Sequence, residues 1–244
     1  MPDEALVVEG KPLSQGERVI DTFVAPSKTF TDILRSASWW LPYLLLVLST
    51  WVLAFALQQK VGWSQLADNE VRLNPKAQAK MADLSPEQVA MQHRFTQGIM
   101  QGTMFGAPVT NLFFLAVFAI VLWPTMNFVF GGSATFGRTM AVCAYAALPG
   151  IFKSLLAAVL LYAGRSPDTF TMETMLGSNP GYYLSEPGPL KSILESFDVF
   201  TLWTMVLLSI GMAIVARTKK NAGYYAVFGW FALILLIRTA AAVL

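Results

Sequence analysis

Five apolar runs, each long enough to cross a bilayer, constrain this chain more than any other feature. They cover residues 39–57, about 107–130, about 138–163, about 198–216 and 224–244. A hydrocarbon slab about 30 Å thick takes roughly 20 helical residues at about 1.5 Å each. Helices are the economical way across, because each satisfies its own backbone hydrogen bonds where there is no water. Composition points the same way: the chain is 55% hydrophobic and only 13% charged, against about 25% charged in a soluble domain. The expected fold is all-α: an integral membrane bundle of five transmembrane helices over 39–244, preceded by a cytoplasmic N-terminal segment, 1–38.

Lys and Arg set the expected orientation. Arg217, Lys219 and Lys220 follow the fourth run, Arg138 opens the third, and Lys11, Arg18, Lys28 and Arg35 precede the first. All fall on one side, which predicts the N-terminus in the cytoplasm and the C-terminus outside. The long loop 58–106, on the other side, holds Lys76 and Lys80 and makes the bias imperfect, but long loops weigh less. The first apolar run begins near residue 39 after a polar start, so no cleavable signal peptide is expected.

Before the first run, two short amphipathic helices are predicted. "ERVIDTFV" places Val19, Ile20, Phe23 and Val24 on one face, and "SKTFTDILRSA" repeats Phe30, Ile33 and Leu34 behind Ser27 as N-cap. Such helices either lie in the membrane interface or pack on the protein's own spans. In loop 58–106, Ser85 and Gln88 form a capping box with Pro86 at the first helical position, so a helix begins there. The loop 164–197 carries "LGSNPGYYLSEPGP", an irregular stretch, then a short helix over "LKSILESF".

Constellations that carry chemistry are scarce. A net charge of +2 gives no electrostatic case for nucleic acid. The single cysteine, Cys143, and single histidine, His93, cannot assemble an ordinary metal site or disulfide framework. His93 reads as a surface histidine, and no GxSxG elbow supports a nucleophile. "GGSATFGRT" resembles a phosphate loop, but Arg138 replaces the lysine and no strand precedes it, so its glycines read as a turn between spans. No catalytic residue, cofactor or metal is expected.

Charges inside the spans are more informative, because they are costly there and face protein or water. Lys153 lies fifteen residues from Arg138, Arg238 fifteen from Gly223, and Asp198 eighteen from Ala216. These spacings put them about 22, 22 and 27 Å from the cytoplasmic ends of their helices. Long basic side chains close a gap of about 5 Å, so an intramembrane cluster of Lys153, Asp198 and Arg238 is predicted; the alternatives are separate snorkelling of the two cations, or an ion or proton site. Pro124, Pro149 and Gly150 mark expected helix bends, with the carbonyls of Ile120 and Tyr145 losing their donors. Ser209, Gly211 and Ala213 allow close approach of a neighbouring helix.

The order "APSKTF … SWWLP", "GGSATFGRTMAVCAYAALP", "FDVFTLWTMVLLSIGMA", "KKNAGYYAVFGW" resembles the Yip1-domain membrane proteins in their bacterial form, from about Glu17 to the C-terminus. The eukaryotic members' "DLYGP" motif is missing, so their Rab GTPase interactions are not carried over. The resemblance implies five spans in a bacterial cytoplasmic (inner) membrane, a cytoplasmic N-terminus, a C-terminus on the far side and no enzymatic activity. Three functional readings stay open: a non-enzymatic scaffold that organises the membrane or binds other membrane proteins or itself, a small transporter or channel, and an intramembrane enzyme.

Overall fold

The computed structural model describes residues 11–184 and 188–243. The first ten residues of the expected N-terminal segment, residues 185–187 of the second long loop and Leu244 lie outside it. The described residues are helical and irregular, without strands.

The helices run in order α1 (Gln15–Val24), α2 (Pro26–Ile33), α3 (Trp40–Lys60), α4 (Trp63–Arg72), α5 (Pro75–Ala82), α6 (Pro86–Phe105), α7 (Ala107–Pro124), α8 (Phe136–Ala146), α9 (Pro149–Tyr162), α10 (Pro189–Glu195), α11 (Val199–Val215) and α12 (Lys220–Val243). Among the described residues, four helical stretches are long and apolar enough to cross a membrane: Trp40–Lys60, Ala107–Val129, Phe136–Tyr162 and Lys220–Ala240. The fourth expected span, α11, is apolar but shorter.

Several starts follow from local chemistry. Ser14 caps α1 in a capping box: its Oγ accepts from Glu17 N–H, and its own N–H donates to Glu17 Oε2 at 2.7 Å. Ser85 and Gln88 do the same for α6. Ser27 does not cap α2. That helix starts at Pro26, whose missing N–H needs no partner in a first turn, behind Ala25. Two helices in the first long loop, α4 and α5, have no counterpart in the sequence reading.

The prolines act differently from one another. Pro124 stays inside α7, and one π-helical turn, Thr125–Val129, follows it. Thr125 Oγ1 donates to the Val121 carbonyl at 2.7 Å. Pro149 opens a new helix. The chain leaves α8 at Ala146, Leu148 N–H donates to Tyr145 O at 3.2 Å, and Pro149 begins α9. The Tyr145 carbonyl, expected to lose its donor, has one. Nothing lies within 4 Å of a Cβ placed on Gly150, so packing does not require that glycine.

Two compact units result. One gathers the described residues up to Leu45, Phe113–Leu148 and Trp203–Leu233. Its core holds Phe30, Ile33, Met126, Val142, Tyr145, Leu148, Met212 and Val215, all fully buried. The turn between α7 and α8 belongs to it. Gly131 takes φ +66°, and a Cβ on Gly132 would sit 2.9 Å from Ala216 Cβ. Asn127 clasps both backbone groups of Ala134, at 2.9 and 2.8 Å, and Ser133 N–H donates to Ala216 O at 2.9 Å. The phosphate-loop look-alike is therefore a tight turn. In the same unit a Cβ on Gly223 would run into the Ser209 carbonyl oxygen, so α12 and α11 approach to backbone distance.

The other unit gathers Leu46–Leu112, Pro149–Leu202 and the chain from Ile234 on. Its core packs Leu53, Leu57, Trp63, Leu66, Ala157, Leu161 and Phe170 with Met100, Met104 and Phe105 at its edge. Asn69, fully buried, donates to the carbonyls of Pro167 and Phe170 at 2.7 and 2.8 Å, which ties α4 to the second long loop.

Candidate functional site

In the second unit, α9 and the start of α11 bring two of the three predicted charges together. Lys153 Nζ stands 3.2 Å from Asp198 Oδ2. Asp198 immediately precedes α11 and caps it: Oδ1 accepts from the N–H groups of Phe200 and Thr201, both at 3.1 Å, and from the Thr201 hydroxyl at 3.4 Å. Oδ2 also accepts from the Ser178 hydroxyl, and the Ser178 carbonyl takes the Val199 N–H at 3.0 Å. Asp198 is 4% exposed while the Lys153 side chain is 30% exposed. A carboxylate at a helix N-terminus meets free N–H groups and the positive end of the helix dipole. Asp198 therefore has compensation beyond the ammonium group.

Arg238, the third predicted member, donates instead to Ser196 Oγ at 3.3 Å. The carboxyl of nearby Glu195, in α10, sits above its usual range because burial disfavours its charge and Glu173 repels it; Lys191 and Arg238 partly offset this. Ser178 and Thr201 were not anticipated. Thr201 was legible as the last residue of a D-x-x-T cap ahead of an apolar run, but Ser178 lies in a Gly/Pro/Ser-rich loop with no pattern to mark it.

The first unit holds a second pair that sequence reasoning missed. Arg18 and Asp32, 3% and 4% exposed, meet through Arg18 Nε and Asp32 Oδ2 at 2.8 Å. The other guanidinium nitrogens donate onward, Nη1 to Ser36 O at 2.9 Å and Ser38 O at 3.3 Å and Nη2 to Asp32 O at 3.4 Å. The Arg18 carbonyl accepts from Thr22 and Thr29 hydroxyls at 2.7 and 2.9 Å. Arg35 joins Asp32 at 3.5 Å, and Arg138 donates to Leu34 O at 2.9 Å. Arg18, Arg35 and Arg138 were counted above as flanking cations; all three are engaged in tying the N-terminal helices in place. The 14-residue spacing of Arg18 and Asp32 crosses a helix break, so no helical periodicity reveals it.

His93 is less plainly a surface residue than expected. Its Nε2 lies 2.7 Å from Asp68 Oδ1 with the side chain 23% exposed, although not aligned as a hydrogen bond. A cavity of about 520 Å³ beside it is lined by Gln65, Asp68, Arg72 and Gln78 among others. Among the described residues, no three His, Cys, Asp or Glu side chains gather as a metal site would require. Glu70 accepts from Met172 N–H at 2.6 Å. Burial raises its carboxyl pKa; this hydrogen bond opposes the rise and Glu173 adds to it.

The helices and these clasped polar groups define an all-α, multi-pass integral membrane protein. The Yip1 domain family model matches residues 20–239, and the chain belongs to that family. It is 23% identical over 202 residues to "Membrane protein YknW" of Bacillus subtilis (strain 168), an alignment covering 82% of this chain and 79% of that relative. No solved structure matches it.

Proposed function

We propose that this protein is a non-enzymatic scaffold of the bacterial cytoplasmic membrane, organising the bilayer or binding other membrane proteins, with its N-terminus inside and its C-terminus outside. The saturation of Asp198 carries this reading. Both carboxylate oxygens are occupied, by two backbone N–H groups, two hydroxyls and an ammonium group. A carboxylate that loads and releases an ion or proton must break such bonds in each cycle, whereas a structural clasp keeps them. The orientation rests on Arg138, Arg217, Lys219 and Lys220, which cluster at one set of span ends.

The second reading, a small transporter or channel, is favoured by the partial exposure of Lys153 and by the interrupted α8–α9 helix. Purified protein in vesicles loaded with pH-, sodium- or potassium-sensitive dye separates the two. The scaffold reading expects leak no faster than in empty vesicles for wild type and Asp198→Asn alike. Flux that Asp198→Asn abolishes would replace it with the transporter. Photo-crosslinking in cells is expected to recover a membrane protein, or a second copy, in stoichiometric amount.

A further inference from the structure

Helix α1 is built inside out. Its polar residues Arg18 and Thr22 are buried, 3% and 0% exposed, while apolar Ile20 and Val24 are 63% and 73% exposed. A helix resting on a water-facing surface does the reverse. The contacts within the first unit also give its depth. Ser133 N–H meets Ala216 O, which fixes the level where α11 ends. Phe30 lies at Gly211, where a Cβ would come within 2.9 Å of its ring and 2.6 Å of Val142 Cγ1. Phe23 packs its ring against Trp203, centroids 5.5 Å apart. Trp203 stands thirteen residues from Ala216, about 20 Å along the helix. The Arg138 guanidinium holds Leu34 O, beyond the end of α2 and close to where α8 begins. The chain therefore goes in along α1, turns at Ala25–Pro26 near the level of Trp203, and comes out along α2.

α11 has 17 residues, about 25 Å, which is less than the hydrocarbon thickness of about 30 Å. If α11 crosses the bilayer, a level five residues inside one end lies within the acyl region. We infer that α1 and α2 form a re-entrant hairpin that enters the membrane from the side of Arg138 and Arg217, with Ile20 and Val24 in contact with lipid acyl chains. Its buried polar groups meet the requirement such a location imposes, that they be satisfied within the protein; Asp21, half-buried on α1, is the charge this placement must bring to the headgroup level. Arg18 faces Asp32, the Thr22 and Thr29 hydroxyls share the Arg18 carbonyl, and Ala25 N–H donates to Asp21 O at 2.8 Å. Glu17, exposed at the start of α1, marks the wet end. Ser27 and Lys28 are exposed in the first turn of α2, next to the hairpin's turn, so the lipid contact is confined to the α1 side and the long Lys28 stem carries its ammonium group away from the acyl chains.

The test places a nitroxide on single cysteines at Glu17, Ile20 and Val24 of the full chain in phosphatidylcholine–phosphatidylglycerol vesicles. Unlabelled background is secure because Cys143, the single native cysteine, is buried. Oxygen should relax the labels at Ile20 and Val24 more than a water-soluble nickel chelate does, with Val24 deeper than Ile20, and the order should reverse at Glu17. Ile20 and Val24 each decide the matter alone, so one ill-behaved variant does not. Nickel collisions at both as strong as at Glu17 would put α1 in water. Labels shielded from oxygen and nickel alike would put a protein surface over it. Either result overturns the hairpin.

Discussion

The two ion pairs, Arg18–Asp32 in one unit and Lys153–Asp198 in the other, solve one problem by different chemistry. Arg18 offers a fixed fork of donors, and the structure uses it fully, on one carboxylate and three carbonyls, with both side chains at 5% exposure or less. Lys153 offers a point charge, remains 30% exposed, and shares its carboxylate with a helix N-terminus. The first pair is sealed from water, and Arg35 and the Leu13 N–H hold the same carboxylate at 3.5 and 3.3 Å. In the second, each charge has a fallback: water for the lysine, backbone N–H groups for the aspartate. Buried charge is thus tolerated twice, once by complete pairing and once by partial solvation and capping.

The comparison breaks most easily at Asp32. Asp32→Ala leaves a buried guanidinium uncompensated and should cost about 3–5 kcal/mol, seen as loss of folded protein in detergent. Arg18→Lys keeps the charge and loses the fork, and should recover less than half of the deficit of Arg18→Ala. Gly223→Ala comes next: the added methyl meets the Ser209 carbonyl, and overpacking of this kind costs about 1–3 kcal/mol. Asp198→Asn keeps an oxygen for the Phe200 and Thr201 N–H groups, so about 1–2 kcal/mol is expected. A melting curve showing Asp198→Asn worse than Asp32→Ala would invert the comparison.

The smallest effect is at Glu70, which has a raised pKa and no basic partner among its causes. The folded state then holds its proton more tightly than the unfolded chain. Its contribution to stability is fully present below about pH 4.5, the unfolded value, and is lost as pH climbs through the raised folded value. Glu70→Gln keeps an acceptor for Met172 N–H. It should flatten that part of the stability–pH profile and match or slightly exceed wild type at pH 7, as a pH series of melting temperatures would reveal.

Much of the fold was legible because a bilayer imposes a length and an apolar composition on each span. The 39–57 run appears as α3 over Trp40–Lys60, and the 198–216 run as α11 over Val199–Val215. The capping box at Ser85 was legible because it is a local pattern. Ser27 failed as a cap because Pro26, one residue earlier, already opened the helix. α4 escaped notice because its apolar face, Trp63 and Leu66 for instance, is short and answers to the Phe170 loop, far away in sequence.

By itself, the sequence determined an all-helical membrane protein of the Yip1 domain family, since span length, hydropathy and family pattern are properties of the chain read in order. Only the tertiary structure decided which charges meet. Similar distances along three expected spans place Lys153, Asp198 and Arg238 at similar levels, yet level is one coordinate, and rotation about each helix axis sets the rest. That rotation, fixed by packing, gave Asp198 to Lys153 and Arg238 to Ser196. A break at Ala25–Pro26 likewise joined Arg18 to Asp32 and turned Arg18 and Thr22 inward.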